Sequence, residues 1–232
     1  DPGFYRQQYE ASFEESTLKV YGDFSRERHV MPAPHRIRPN WPIYIGIDFG
    51  WTHPSAIIWA QLSPDGAWHI FDELVEPHLR PEDIAGAILG EEVDLPGRRF
   101  RARVDYSRID RVVSGAEGTQ SRQEAGGESG LSNLARSGIT RTGIYRGGIQ
   151  SGIHRVRAAL LSASGEVRLR IDPRCKSVID DFEGYGYRTG SDGVPVGELP
   201  EKDGVHDHSM DALRYMIAYV DPAGGRPEWR FG

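Results

Sequence analysis

Between Ile43 and Val75 the chain carries three short apolar runs rich in β-branched and aromatic residues: IYIGID (43–48), AIIWAQL (56–62) and AWHIFDELV (67–75). FGWTHPS parts the first two, and Ser63-Pro64-Asp65-Gly66, a strong turn sequence, parts the last two. Runs of this length and composition are strands, and connections this short cannot hold a crossover helix, so the three are expected to lie side by side as an antiparallel meander. A sheet with an apolar face must be covered. Residues 81–93 (PEDIAGAILGEEV) read as a helix, opened by Pro81 and by acids suited to the positive end of its dipole. RRFRARVD (98–105) alternates arginine with apolar residues and reads as a fourth strand ending on Asp105.

Residues 114–130 are Gly-rich and polar, and a surface loop is expected there. Further on, 149–161 reads as an amphipathic helix, 166–172 as a short strand and 175–187 as the start of another helix, with a hairpin turn at Ser191-Asp192-Gly193. The clearest helix spans 205–220, with Met210, Leu213, Ile217 and Val220 on one stripe. Meander, helix, strand and helices make a mixed α/β sheet.

At 232 residues the chain is long enough for one sizeable α/β domain. Four prolines within 32–42 keep that stretch extended, so residues 1–40 are expected to be a stub and linker left from a preceding domain, with the folded domain at 41–232. No apolar run approaches the roughly 20 residues that span a bilayer. The single cysteine, Cys175, has no partner for an internal disulfide or a Cys-rich zinc site, which fits a reducing compartment. The net charge of −6 conceals a division, because residues 98–176 hold 16 Lys and Arg against 7 Asp and Glu while the remainder nets −15. A basic middle between acidic ends can face phosphates with one surface and hold cations with another, although solvated arginines give the same count.

Asp48 and Asp105 end two predicted strands, and Asp207 and Asp211 lie four apart on the last helix, hence on one face. If those elements are neighbours, the carboxylates form a self-repelling cluster that hard divalent ions would neutralise, and two such ions stabilise the attacking and leaving oxygens of phosphodiester hydrolysis. An aspartate at a strand end also serves as a turn former, and one near a helix start as a cap. On Arg99, Arg101 and Arg103, which share one face of the predicted strand, and on Arg141, Arg146, Arg155 and Arg157 after them, DNA phosphates could rest, or only water. Trp51 is either core or a DNA contact. No G-x-x-x-x-G-K-[ST] motif occurs, so ATP hydrolysis by a P-loop is not expected.

IGIDFGWTHPSAIIWA, RARVDYS, GIHRVRAALL and DHSMDALRYMI follow one another in an order and spacing that resembles the nuclease domain of phage terminase large subunits. DPGFYRQQYEASF resembles the segment that closes the ATPase domain there, so the likeness covers nearly the whole chain. It implies a ribonuclease H-like mixed sheet, with a three-strand antiparallel meander plus parallel strands, flanked by helices. It implies Asp48, Asp105 and Asp211 as metal ligands for Mg²⁺ or Mn²⁺, two ions in all, with Asp207 accessory and His208 near the metals in proton transfer or substrate contact. Tyr106 stands where the family often has proline, which makes Asp110 the alternative to Asp105. The implied activity is endonucleolytic cutting of double-stranded viral DNA concatemers at the start and end of packaging, in the host cell cytoplasm. The implied partners are the DNA, a portal protein and a small terminase subunit, with no membrane and a monomeric isolated domain. Other readings are a junction resolvase or transposase core of the same fold, or an actin-like nucleotide-binding module using I-G-I-D-F-G as a phosphate loop. A hairpin over 189–197 could gate access to the metals.

Overall fold

The meander forms as the turn spacing requires. In the computed structural model, which describes residues 18–120, 129–190 and 194–221, β1 (Ile43–Asp48), β2 (Ser55–Leu62) and β3 (Trp68–Glu76) pair antiparallel in succession. A four-residue helix, α1 (Arg26–His29), precedes them, and α2 (Pro81–Leu89) follows, ended by Gly90 in the left-handed region at φ 85°. A small separate hairpin comes next, β4 (Val93–Leu95) with β5 (Arg98–Phe100). The chain then returns to the main sheet as β6 (Ile109–Gly115), parallel to β1, and after α3 (Gly130–Arg136) as β7 (Thr142–Tyr145), parallel to β6. Helix α4 (Ile149–Leu160) leads to β8 (Leu169–Ile171), parallel to β3 at the other edge. Helix α5 (Lys176–Gly184), the hairpin β9 (Tyr187–Thr189) and β10 (Pro195–Pro200), and α6 (Asp207–Val220) complete the fold. The six-stranded order is β7-β6-β1-β2-β3-β8, the expected meander extended by parallel strands and flanked by helices.

The two-residue period of the strands divides the core. Ile43, Ile45, Ile47, Ile57 and Trp59 point to one face, where they pack with Ile84 and Ile88 of α2 and with Phe100, Ala102 and Val104. Ala56, Ile58, Ala60 and Leu62 point to the other, against Ile153 and Val156 of α4, Val178 of α5, and Met210, Leu213 and Ile217 of α6. On β1, Gly46 and Asp48 alternate with the isoleucines and so belong to the α6 side. Each fully buried Ile, Leu, Val or Met side chain among these contributes about 1.5–3 kcal/mol relative to exposure, and each alanine less.

Residues 98–105 do not form the fourth strand of the main sheet. Among the described residues Arg98–Phe100 pairs only with Val93–Leu95, and the strand parallel to β1 is Ile109–Gly115. The arginines of the alternating run find local partners instead. Arg99 pairs with Glu92, Arg101 donates to the Gly90 carbonyl, and Arg103 donates to the carbonyls of His35 and Phe71. The expected loop over 114–130 is strand to Gly115 and a 3-10 turn over Ala116–Thr119, and residues 121–128 lie outside the described residues, as does the turn expected at 191–193.

Of the segment expected as stub and linker, residues 18–40 are described and lie against the sheet. Val20 and Tyr21 are fully buried in the core beneath α6. The Gln61 side chain accepts from the Arg38 amide and donates to the Arg38 and Trp41 carbonyls, and Asp172 accepts from the His35 amide. The prolines keep this stretch extended, and the buried Gln61 and Asp172 supply the partners its backbone would otherwise take from water.

Candidate active site

The site lies where β1 and β6 finish at the same end of the sheet, with the first turns of α6 above them. Ile47 is paired with Ser114, so Asp48 and the turn after Gly115 leave the sheet together. The helix comes close because Gly46 has no side chain: a Cβ there would stand 2.8 Å from the Ala212 carbonyl carbon and 3.1 Å from the Met216 Cβ. That approach brings His208 to Asp48, and its Nδ1 donates to the Asp48 carboxylate at 2.9 Å. The start of α6 is fixed from outside as well. Asp203 accepts from the amides of Val205 and His206, and the Ser209 hydroxyl donates to the buried Asp181 of α5.

Glu117 enters from the turn after β6, and its carboxylate accepts a hydrogen bond from the Tyr215 hydroxyl of α6. Asp48 and Glu117 line one cleft of about 760 Å³ together with Trp51, His53, Arg146, Lys202 and His208. Beneath them Asp211, 3% exposed, is held by Arg214 at 2.7 Å on one oxygen and approached by Lys202 at 3.4 Å on the other. Three carboxylates from three elements therefore converge, from β1, from the turn after β6 and from α6.

Burial pushes the Asp48 carboxyl up to about 6, and the nearby Asp211 and Glu117 charges add to the rise, while the His208 hydrogen bond opposes it. Burial disfavours the charged imidazole of His208, but the bond to Asp48 and the charges of Asp207, Asp48 and Asp211 outweigh it and raise its pKa above the usual histidine value. Two buried polar atoms here lack a hydrogen-bond partner, Asp207 Oδ1 and His208 Nε2, which face one another at 3.7 Å. Such atoms cost free energy unless something else satisfies them. An all-oxygen set of Asp48, Glu117 and Asp211, with Asp207 beside it, suits a hard divalent cation in its chemistry. Among the described residues no three of these groups already stand at coordinating distance, and Asp48 is engaged by His208 and Asp211 by Arg214.

Sequence reasoning brought Asp48, Asp207, His208 and Asp211 to this place, and the structure assembles them. Asp105 does not join them. It precedes β6, at the opposite end of the sheet, beside Val104 and Gly90 on the α2 face, exposed and 4.0 Å from Arg101. Asp110 is also at that far end, where it accepts from the Ile43 amide. The second strand-end acid is Glu117, which the expected surface loop concealed. Arg146 and Trp51 line the cleft, whereas Arg141 stands before β7, stacked over Tyr106 and bonded to its carbonyl, away from the acids. Arg99 and Arg101 are on the exposed β4–β5 side, Arg103 is tied to the buried Asp172, Arg155 is half-buried on α4, and Arg157 donates to the Val20 carbonyl.

A family model described as the Terminase RNaseH-like domain matches residues 45–220. No curated protein sequence matches the chain. Among solved structures, the large terminase of a thermophilic bacteriophage is 18% identical with a TM-score of 0.64, over 88% of this chain and 46% of that one. The P22 large terminase nuclease domain is 18% identical with a TM-score of 0.61, over 90% of this chain and 94% of that domain. The large terminase nuclease of another thermophilic phage, G20c, with bound magnesium, is 15% identical with a TM-score of 0.56, over 87% and 97% of the two chains. The chain thus spans about half the length of the first of these proteins and nearly all of the separate P22 and G20c domains.

Proposed function

Because the chain belongs to the terminase RNaseH-like domain family, we propose that it is a divalent-metal-dependent endonuclease that hydrolyses phosphodiester bonds of double-stranded DNA. The observation that carries the reading is that Asp48 and Glu117 line one cleft with Arg146 and Lys202, with Asp211 buried behind Lys202 at 3.4 Å. Those three carboxylates would hold the metal, with Asp207 accessory. Two Mg²⁺ or Mn²⁺ ions held there would stabilise charge on the attacking and leaving oxygens of the displacement. Arg146 at the cleft wall offers a cation to a DNA phosphate and fixes the backbone without reading sequence. His208, buried against Asp48, orients that carboxylate and keeps its own Nε2 turned toward Asp207. Arg214 pairs with Asp211 from behind at 2.7 Å, an opposite charge that offsets the cost of enclosing the acid.

The G20c nuclease with bound magnesium supports the choice of metal, and the likeness to a longer phage large terminase supports a place in a genome-packaging motor. In that setting the substrate is concatemeric viral DNA in the host cell cytoplasm, cut when packaging starts and ends, with the portal protein and small terminase subunit as further partners. Supercoiled plasmid incubated with the purified chain tests the activity. Nicking and linearisation that need Mg²⁺ or Mn²⁺, stop with EDTA and vanish in Asp48→Asn are expected. Folded wild-type protein that leaves the plasmid intact with both metals would contradict it.

A further inference from the structure

We infer that Lys202 is a further catalytic residue, one that competes with a divalent cation for Asp211 and, once displaced, binds the scissile phosphate. The inference rests on the metal-dependent reading above. It begins from the unequal way in which two protein cations hold one carboxylate. Arg214 meets Asp211 Oδ1 at 2.7 Å with both side chains 5% exposed, a close and enclosed pair. Lys202 meets Oδ2 at 3.4 Å with its side chain 66% exposed, well beyond the 2.7–2.9 Å of a tight charge-assisted bond. Arg214 is a fixed partner. Lys202 is a loose one on a flexible four-carbon stem, in the segment between β10 and α6; Asp211 is buried, but the ammonium itself is largely in solvent and free to exchange this long contact for another.

The direction in which it can leave is set by its surroundings. Lys202 lines the same cleft as Asp48, Glu117 and Arg146, and Asp211, Asp48 and Asp207 all draw on its charge. A divalent cation taking Oδ2 would repel the ammonium, and the open side is the cleft. DNA approaching these acids brings a phosphate with two non-bridging oxygens, which needs positive charge from the solvent side as well as from below. An ammonium there gains strength as the phosphate gains charge in the transition state, the condition under which a binding group accelerates reaction. Because the lysine opposes the cation and assists the phosphate, its removal moves metal affinity and turnover in opposite senses. A residue that merely supports the fold would not do this.

The test is calorimetric titration of Mn²⁺ into EDTA-treated protein, followed by plasmid nicking at saturating Mn²⁺, for wild type, Lys202→Gln, Lys202→Arg and Asp211→Asn. Lys202→Gln is expected to bind Mn²⁺ roughly three- to tenfold more tightly, as loss of one nearby, mostly exposed competing charge implies, and to nick about tenfold or more slowly. Lys202→Arg keeps the charge and returns both quantities toward wild type, while Asp211→Asn loses binding. Unchanged or weaker Mn²⁺ binding by Lys202→Gln, with Asp211→Asn still defective, would overturn the role of Lys202 and leave the metal site standing, as would tighter binding with undiminished nicking. Wild-type protein that takes up no Mn²⁺ would overturn the metal reading and this inference together.

Discussion

Replacing Gly46 by alanine tests whether the close approach of α6 to β1 builds the site. The added Cβ would lie 2.8 Å from the Ala212 carbonyl carbon, where carbon atoms normally settle at about 3.5–4.0 Å. The obstacle is helix backbone, which cannot rotate aside, and the Ala212 carbonyl oxygen lies nearer still than its carbon, so α6 must retreat by roughly 1 Å or more. Overpacking of this kind costs about 1–3 kcal/mol. The same movement carries Asp211 and His208 away from Asp48, and because a misplacement of about 1 Å can cost 10²-fold in rate, a loss of tens-fold in cleavage is expected. Urea unfolding followed by tryptophan fluorescence measures the first quantity, and metal-dependent nicking of supercoiled plasmid the second. Gly148→Ala serves as a control, since a Cβ there meets nothing within 4 Å. A Gly46→Ala protein as stable and as active as wild type would refute the reasoning.

Asp48 provides a pH-dependent prediction in metal-free buffer. Its folded pKa of about 6 against 3.8 for the free group means that the unfolded chain ionises first. Its contribution to stability is therefore lost as pH rises from about 4 to 6 and stays lost above. At 1.36 kcal/mol per unit, Asp48→Asn should be more stable than wild type by up to about 3 kcal/mol at pH 8 in EDTA and should converge with it near pH 4, as read from urea midpoints. Two arginines should separate binding from stability. Arg146→Ala is expected to weaken DNA binding and to lower the salt slope by about one, measured by fluorescence anisotropy at several salt concentrations. Arg103→Ala should leave that slope unchanged and lower stability by about 1–3 kcal/mol, because the fully buried Asp172 and the His35 carbonyl lose a partner.

Much of the fold was legible because its strands and last helix carry strong periodic signals. The meander is fixed by three apolar runs and a Pro-Asp-Gly turn, and the Asp-His-x-x-Asp start of α6 put two acids and a histidine on one helix before any strand order was known. The second acid was not legible in this way. RRFRARVD imitates a half-buried strand, yet its apolar members Phe100, Ala102 and Val104 pack from a hairpin and a loop onto the α2 face. The true parallel strand, IDRVVSG, has Asp110 and Arg111 near its start, which breaks the alternation, and its burial shows only at Ile109 and Val112–Gly115. The usable signal was Val112-Val113-Ser114-Gly115 followed two residues later by Glu117, a short buried run ending just before an acid, but the glycines around it read as loop. The docking of residues 18–40 was hidden because its partners are single polar residues, Gln61 in an otherwise apolar strand and Asp172 just after a strand that alternates with arginine. Only the assembled sheet reveals them.

The identity of the second strand-end acid decides whether the site has been located, and one comparison settles it. Wild type, Glu117→Gln and Asp105→Asn are incubated with supercoiled plasmid and Mn²⁺, and initial nicking rates are compared at equal amounts of folded protein. The convergence of Asp48, Glu117 and Asp211 predicts that Glu117→Gln loses on the order of 10²-fold or more in rate, while Asp105→Asn cuts as wild type does. Full activity in Glu117→Gln together with a dead Asp105→Asn would contradict the account.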